Sequence, residues 1–257
     1  MDTNQNNPRT DIDLNDFQLR NIDILTHLYV HNAVDDEIVE KLRRSELDYF
    51  SLLNKYKLLE QKINIDEKTN LLKFKKDYLT DIIKTASRIY FGSETQNFTI
   101  AFIRFDIDDF SVFNNQYGHD AGDEVLITIA SIIREHSRPT DYVIRFGGEE
   151  FDVILPSTSI DGAVKYLENI FKLINSVEVP YNGQKLKVTV SAGVSSLLYS
   201  FNEKRIMESF IEDLFKQLQT EADNALYEAK YLGKNRYCIY SEDKKNEYVK
   251  IRKIYTK

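Results

Sequence analysis

The chain has 257 residues, 42% of them hydrophobic, and a formal net charge of -7. This length allows one large domain, or one domain with an extension. The acidic balance argues against a nucleic-acid-binding protein, which needs a basic face for phosphates. Cys238 is the single cysteine, so no intrachain disulfide can form, and a reducing cytoplasm is the expected compartment.

The first 65 residues are predicted to be a separate N-terminal segment. Residues 1–16 are polar and predict disorder, and residues 17–34 predict a short helix. The polar start is unlike a signal peptide. No apolar run approaches the roughly 20 residues of a membrane span, so no span is expected.

Residues 35–63 carry an apolar repeat in alternating steps of three and four, with one polar member. The members are Ile38, Leu42, Ser45, Tyr49, Leu52, Tyr56, Leu59 and Ile63. This heptad pattern predicts a coiled coil that makes a homodimer. The alternative is an amphipathic helix packed on its own domain.

From residue 66 to about 245 helical and strand patterns alternate. Helices are predicted at 71–90, 121–137, 159–177 and 207–233, the last as one helix or two; strands are predicted at 98–108, 141–146, 151–155, 185–197 and 235–240. This order predicts an α/β (α+β) domain, with a mixed central sheet flanked by helices. Residues 246–257 remain as a basic C-terminal tail.

An acidic hairpin joins two of these strands. Gly147-Gly148 predicts a two-residue turn, because such turns need positive φ, and Glu149 and Glu150 are expected to begin the returning strand. Two adjacent carboxylates repel unless a cation lies nearby. The alternative is a solvated acidic turn.

A second acidic group ends the predicted strand 98–108. Alternation places Asp106 and Asp108 on one side of that strand and Ile107 on the other. If the strand neighbours the hairpin, Asp106 and Glu149 converge. Two carboxylates at adjacent strand ends suit Mg²⁺ with substrate phosphates.

Polar residues at two further places are candidate ligand-binding groups. Asn114 and Asp123 flank a predicted loop that contains Gly118 and Gly122, although an Asp in the first turn of a helix also serves as a dipole partner. Lys230 and Lys234 are spaced to lie on one helical face. They are either a solvated basic face or a clamp for polyphosphate.

Four motifs in this order resemble the GGDEF family of diguanylate cyclases. RFGGEEF is similar to the family's GG[D/E]EF signature, with Glu in the first acidic place. FDIDDF and GHDAGDEVL are similar to its first strand and guanine loop, and VTVSAGV and EADNALYEAKYLGKN to its later motifs. The resemblance covers about residues 66–240.

The resemblance implies an enzyme that joins two GTP into cyclic di-GMP and releases two pyrophosphates. It implies a metal, Mg²⁺ or Mn²⁺, held by Asp106, Glu149 and the carbonyl of Ile107, with Glu150 as a base or second metal carboxylate. For the substrate it implies a further set of residues: Asn114 and Asp123 reading guanine, His119 supporting that pocket, and Lys230 and Lys234 gripping phosphates. One domain holds one GTP in this family, so the reaction implies a homodimer.

Some positions depart from the family pattern. Ser111 stands where the family usually has a lysine thought to assist the transition state, Lys234 replaces an arginine, and Asn115 replaces an aspartate. A weakly active or inactive domain that binds cyclic di-GMP as a receptor is therefore the alternative function. A cyclase that makes a mixed guanine–adenine dinucleotide is a third possibility.

A last motif precedes the hairpin. Pro139 disfavours a helical Arg138, so the helix before it should end there. Arg138 and Asp141 form an RxxD pair that resembles the family's product-inhibition site, with Arg138 on a phosphate of cyclic di-GMP and Asp141 on a base. The alternative is a weak surface ion pair.

Overall fold

The computed structural model of the protein describes residues 36–90, 97–200 and 208–255. The predicted disorder of residues 1–16 and the predicted helix at 17–34 lie outside the described residues. The chain divides into two compact units, Met1–Gln61 and Lys62–Lys257. Within the described ranges no helix is both long and apolar enough to cross a membrane.

Helix α1 (Asp36–Asn64) has 29 residues, and its residues 36–61 are the described part of the N-terminal unit. At about 1.5 Å per residue it is about 43 Å long. Of the predicted heptad seam, Tyr49, Leu52 and Tyr56 are exposed by 42%, 66% and 61%. The side chains of the apolar seam members at 38, 42, 59 and 63 lie outside those that the structure describes.

The second unit is built on a six-stranded mixed sheet, as predicted. Its strands in chain order are β1 (Leu72–Lys73), β2 (Asn97–Ile107), β3 (Tyr142–Gly147), β4 (Glu150–Pro156), β7 (Val190–Ser200) and β8 (Tyr237–Ile239). They lie in the order β1-β3-β4-β2-β7-β8, with parallel pairing at both edges and antiparallel pairing between them. Two short strands, β5 (Val179–Tyr181) and β6 (Gln184–Leu186), form a separate hairpin.

Helices cover both faces of this sheet. They are α2 (Tyr78–Tyr90), α3 (Phe110–Tyr117), α4 (His119–Glu135), α5 (Ile160–Ser176), α6 (Glu208–Tyr231) and α7 (Lys245–Tyr255). One apolar core joins the sheet to α3, α4 and α5, and the other joins its opposite face to α2 and α6. Because strand side chains alternate, odd-numbered residues of β2 enter the first core and even-numbered residues face the second.

Several boundaries differ from the sequence prediction. The helix predicted at 71–90 begins at Tyr78, because Leu72 and Lys73 pair with β3 as an edge strand. The strand predicted at 185–197 is divided between β6 and β7, and residues 207–233 contain the single helix α6. Short segments with few periodic positions carry too little pattern to fix such ends.

The predicted basic C-terminal tail contains helix α7. Tyr248 and Ile251, one turn apart, are buried at 2% and 8% exposure. Tyr248 stacks on Tyr240, and its hydroxyl oxygen accepts from the Ser241 N–H at 3.1 Å. Arg252 donates to Asn224 of α6 at 2.7 Å. These contacts attach the helix to the second unit.

Candidate active site

The site lies where one face of strand β2 changes from apolar to charged. Phe98, Ile100 and Phe102 are buried in the core beneath α2 and α6, and Arg104 and Asp106 follow on the same face. In the antiparallel register Asp106 is opposite Glu150, and Arg104 is opposite Asp152. The pairing therefore brings the two acidic motifs of the sequence together.

The hairpin between β3 and β4 differs in detail from its prediction. Gly147 pairs with Glu150, so the two turn residues are Gly148 and Glu149, and the returning strand begins at Glu150. Gly148 has φ +29. Glu149 is thus a turn residue, half-buried, and its carbonyl oxygen accepts from the Ile107 N–H at 3.3 Å.

Asp106 is paired with one of the predicted lysines. Its carboxylate forms an ion pair with Lys230 of α6 at 2.8 Å, and the side chain is only 9% exposed. Burial raises the pKa of Asp106, Lys230 opposes this, and the charges of Glu149 and Asp108 add to the rise. Negative charge is therefore concentrated where the sequence predicts a cation.

Glu150 is half-buried and, like Asp106, is surrounded by charged side chains. Burial raises the pKa of its carboxyl group. Arg104 opposes that rise, and Asp106 and Asp152 increase it. A carboxylate whose pKa is raised accepts a proton more readily than an exposed glutamate. This property fits the predicted role of a base.

Asp108 does not join the cluster as the alternation of a strand suggests. Strand β2 ends at Ile107, and the carboxylate of Asp108 accepts from Thr189 Oγ1 at 2.6 Å, Ser191 Oγ at 2.7 Å and the Asn235 N–H at 3.0 Å. Three donors occupy it. Asp108 therefore fastens β2 to β7 and to the segment after α6.

The metal ligands predicted from the family resemblance are Asp106, Glu149 and the carbonyl of Ile107. The structure places these residues at adjoining strand and turn positions. Within residues 36–90, 97–200 and 208–255, no group of three or more His, Cys, Asp or Glu side chains is arranged to hold a metal by itself. Hard oxygen donors, two carboxylates and a carbonyl, nevertheless suit Mg²⁺, which keeps open positions for waters and phosphates.

The predicted base-reading residues lie on consecutive helices, Asn114 on α3 and Asp123 on α4. The predicted loop is mostly helical: α3 ends at Tyr117, α4 starts at His119, and Gly122 lies inside α4. A Cβ at Gly122 would be 1.9 Å from Asn114 Oδ1, so glycine is required for Asn114 to lie there. Asn114 Oδ1 is buried and has no hydrogen-bond partner among the described residues.

Asp123 follows Gly122 and lies in the second turn of α4, which makes it a poorer dipole partner than Asp120. Its carboxylate forms an ion pair with Lys68, 55 residues earlier in the chain. Both side chains are 40% exposed. His119 is exposed at the first residue of the helix. The sequence analysis did not single out Lys68.

The expectation that Lys230 and Lys234 share one helical face is wrong. Helix α6 ends at Tyr231, because Gly233 has φ +111 and the N–H of Lys234 donates to the Ala229 carbonyl at 3.1 Å. This is the hydrogen-bonding pattern of a glycine C-cap. Lys234 lies beyond the helix and forms an ion pair with Asp109, whereas Lys230 is paired with Asp106.

The RxxD residues form a tight turn after α4. The N–H of Arg138 donates to Asp141 Oδ2 at 2.7 Å, and Arg138 is exposed. Asp141 is 6% exposed, and its Oδ1 atom has no hydrogen-bond partner in the described part of the chain. A cavity of about 250 Å³ adjoins it, lined in part by Arg134, Pro139 and Thr140.

Two arginines that the sequence analysis missed support the hairpin. Arg145 donates to Asp66 and to the Gly148 carbonyl, each at 2.9 Å. Arg104 is buried against Asp152, and its guanidinium lies 4.0 Å from the centre of the Phe146 ring. The available signal for Arg104 was one basic residue inside an otherwise apolar strand.

A cavity of about 560 Å³ lies on the α6 face beside these arginines. Arg104, Phe146, Phe215 and Asp223 are among its lining residues. None of the predicted metal or base-reading residues lines it. The cavity adjoins the predicted site without containing it.

The comparison with protein families decides the relationship suggested by these motifs. The model described as "Diguanylate cyclase, GGDEF domain" matches residues 63–236. The chain belongs to the GGDEF family. "Diguanylate cyclase A" of Treponema denticola is 38% identical over 168 residues, which cover 65% of this chain and 42% of that protein. A "Diguanylate cyclase" of Vibrio cholerae is 36% identical over 54% of this chain and 40% of its own length. This GGDEF chain thus spans less than half of either relative.

Solved GGDEF structures have the same fold. The coiled coil and GGDEF domain of DgcB from Caulobacter crescentus, solved in complex with c-di-GMP, gives a TM-score of 0.63 at 24% identity, covering 79% of this chain and 98% of that one. The active GGEEF domain of a diguanylate cyclase from Vibrio cholerae gives 0.51 at 28% identity, covering 66% and 98%.

Proposed function

We propose that this GGDEF chain is a diguanylate cyclase, which condenses two GTP into cyclic di-GMP and releases two pyrophosphates. The observation that carries the proposal is the cross-strand register of Asp106 and Glu150, with Glu149 in the adjoining turn and Lys230 on Asp106. The arrangement collects buried and half-buried carboxylates and a cation at one end of the sheet. The names of the relatives support the same reaction.

Mg²⁺, or Mn²⁺, fits the donors present. Asp106, Glu149 and the Ile107 carbonyl would hold it. Burial is the first cause of the raised pKa of Asp106, and the charge of Glu149 adds to the rise; a bound divalent ion would offset that charge. When bound, the ion would neutralise the charge that develops on the reacting phosphate.

The chain's own residues supply the remaining chemistry. In each half-reaction the 3′-oxygen of one GTP bonds to the α-phosphorus of the other, the bond from that phosphorus to the pyrophosphate oxygen breaks, and the hydroxyl proton leaves. Glu150 would accept this proton. Lys230 and Lys234 would hold the phosphates once they release Asp106 and Asp109. Fixed positive charges stabilise a phosphoryl transition state without further reorganisation.

Base recognition would take place between α3 and α4. Asn114 presents a buried oxygen without a hydrogen bond, and Asp123 is a half-exposed carboxylate on the next helix. A carboxylate accepts from guanine N1–H and the 2-amine, whereas adenine has no such pair of donors on that edge. His119, exposed at the start of α4, would support this pocket from its rim.

Two half-sites must face each other, since one domain holds one GTP. We propose that helix α1 supplies this homodimer. Its exposed seam residues Tyr49, Leu52 and Tyr56 are the feature that supports the proposal. Three exposed large side chains along one heptad seam are the pattern of an interhelical contact.

The turn at Arg138 and Asp141 would bind the product. Asp141 Oδ1 is a buried acceptor without a partner among the described residues, beside a cavity of about 250 Å³. The exposed Arg138 would grip a phosphate, and Asp141 would accept from guanine. Bound cyclic di-GMP would then hold the two domains in a non-productive arrangement.

Ser111 favours the second candidate function, a weakly active receptor for cyclic di-GMP. It is exposed on the first turn of α3, and a serine offers no positive charge to the transition state. Purified protein incubated with GTP, or with equimolar GTP and ATP, plus Mg²⁺ separates the possibilities. Cyclic di-GMP supports the cyclase, a mixed dinucleotide revises its specificity, and product binding without turnover supports the receptor.

A further inference from the structure

We infer that Lys68 is a specificity-determining residue of the nucleotide pocket, and that its ammonium donates to the O6 atom of guanine. The inference rests on the proposed function and extends it. The observation is the ion pair between Lys68 and Asp123, the residue that follows Gly122, against which Asn114 lies.

Lys68 is presented from a fixed turn. The carboxylate of Asp66 accepts from the Thr69 N–H at 2.9 Å and from Thr69 Oγ1 at 2.7 Å, and Arg145 holds the same carboxylate at 2.9 Å. The Asp66 N–H also donates to the Leu71 carbonyl at 2.8 Å. The backbone on both sides of Lys68 is therefore already held. When Lys68 pairs with Asp123, little more than the lysine side chain becomes ordered.

The three groups have complementary chemistry. Asn114 Oδ1 is a buried acceptor against Gly122, Asp123 is a carboxylate on the next residue, and Lys68 brings a cation to that carboxylate. Covering a lone carboxylate with a neutral base costs desolvation energy, which a paired cation offsets. Lys68 therefore offsets the charge of Asp123 beneath a bound purine.

An ammonium has three donors and no acceptor. Lys68 can keep one donor on Asp123 and turn another toward the neighbouring edge of a base that Asp123 holds by N1–H and the 2-amine. Guanine presents the O6 acceptor at that edge. Adenine presents a donor there instead, which would face the ammonium unpaired. A pocket that hydrogen-bonds one group rejects an analogue that lacks it.

The alternative is a surface ion pair that contributes to folding and touches no nucleotide. Exposed pairs of this kind contribute little to stability. The two roles differ in a measurable way. A base reader changes the affinity for one purine relative to another, whereas a structural pair changes all affinities together.

The test is equilibrium binding of three triphosphates with Mg²⁺ to the full chain, wild type and Lys68→Met. The probes are non-hydrolysable analogues of three triphosphates: GTP; ITP, which keeps O6 and N1–H and lacks the 2-amine; and 2-amino-ATP, which has an amine in place of O6 and no N1–H. Methionine keeps an apolar stem and loses the donors. Lys172→Met, at an exposed lysine of α5, is the control.

We expect Lys68→Met to weaken binding of GTP and ITP by about tenfold or more, the value of a charge-assisted hydrogen bond. Binding of 2-amino-ATP should stay the same or improve, and Lys172→Met should match the wild type. Equal loss for all three probes, or no loss, would overturn the assignment. If the wild type binds the analogues but forms no cyclic di-GMP in a separate incubation with GTP and Mg²⁺, the result would count against the cyclase alone, since the analogue series still measures the pocket.

Discussion

Arg104 and Asp152 form a buried, doubly hydrogen-bonded ion pair between strands β2 and β4. They lie next to the cross-strand pair of Asp106 and Glu150 on the same face of the sheet. Arg104 Nε donates to Asp152 Oδ1 and Nη2 to Oδ2, each at 2.8 Å, and the side chains are 8% and 0% exposed. Burial acts to lower the pKa of Arg104, but Asp152, Asp223 and Glu150 raise it above its usual value. The guanidinium stays charged beside the carboxylates of Asp152, Asp223 and Glu150.

We expect Arg104→Met to lower the free energy of unfolding by about 3–5 kcal/mol, because it leaves the carboxylate of Asp152 buried without its cation. The double variant Arg104→Met/Asp152→Leu should recover most of that loss, since two apolar side chains can replace a buried pair. Denaturant unfolding of the wild type, both single variants and the double variant measures this. A double variant as unstable as the sum of the singles would contradict it.

Substitutions of Asp106 and Asp108 should affect different properties: the first mainly turnover, the second mainly stability. Burial raises the pKa of Asp106, so its charged form does not favour the folded state near neutral pH. Asp106→Asn removes the partner of Lys230 but also a buried charge, and these effects oppose each other, so stability should fall by less than it does in Arg104→Met. Turnover should fall by more than about 100-fold. Mutation of a residue that only hydrogen-bonds a metal ligand already lowers activity or metal affinity by up to about 100-fold, and Asp106 is a proposed ligand itself. Initial rates with GTP and Mg²⁺, beside thermal unfolding, measure both.

Asp108→Asn is the matched comparison, because this carboxylate accepts three hydrogen bonds. We expect it to cost about 1–3 kcal/mol of stability, the penalty for losing partners of a buried charged group. If Asp106→Asn kept full turnover, the site assignment would be wrong.

Asp66 should make the hairpin anchor sensitive to acid. Burial acts to raise its pKa, but the hydrogen bonds of Thr69 and the contact with Arg145 bring it below the usual 3.8. A carboxyl group whose pKa is lower in the folded state than in the unfolded state stabilises the fold at pH values above its unfolded-state pKa. This stabilisation is lost as the pH falls through its folded-state pKa. Asp66→Asn should thus cost about 1–2 kcal/mol at neutral pH.

The difference between Asp66→Asn and the wild type should shrink below about pH 4, measured by denaturant unfolding across pH. Glu67→Gln, the exposed neighbour, serves as the control and should match the wild type at every pH. A difference that stays constant into acid would mean that the ionised carboxylate is not what holds the hairpin.

The motifs could be placed from sequence because strand alternation and register are local rules. The sequence predicts that Asp106 and Glu149 converge if their strands are neighbours; the antiparallel register has Asp106 opposite Glu150 instead, and Glu149 lies in the adjoining turn. Partners distant in sequence could not be foreseen. Lys68 meets Asp123 and Arg104 meets Asp152 only through tertiary packing. Lys234 was misplaced because the left-handed Gly233 ends the helix that its spacing seemed to continue.

Helix α1 offers a matched pair of substitutions for the dimer. Leu52 lies on the heptad seam and Leu47 lies off it, and they are 66% and 69% exposed. Leu52→Asp should weaken dimerisation at least about tenfold, because two leucines per dimer lose burial worth about 1.5–3 kcal/mol each. Leu47→Asp should not.

Sedimentation and specific activity at several protein concentrations measure this difference. The seam variant, like a chain without residues 1–62, should lose specific activity most at low concentration, because two half-sites must then meet by diffusion. Full, concentration-independent activity of the shortened chain would show that this helix is not the dimeriser.

Arg138→Ala should abolish tight binding of cyclic di-GMP and raise accumulated product, while the initial rate stays close to that of the wild type. Arg138 is exposed, and Asp141 beside it keeps a buried oxygen without a partner among the described residues, so a ligand that brings donors and a phosphate would satisfy both. Burial raises the pKa of Asp141.

Five strand residues, about 17 Å, separate Asp141 from Gly147, so product bound there would not overlap GTP. Calorimetry with cyclic di-GMP and full progress curves measure this, with Lys165→Ala, exposed on α5, as the control. Inhibition that excess GTP relieves, or unchanged product affinity in Arg138→Ala, would refute the site.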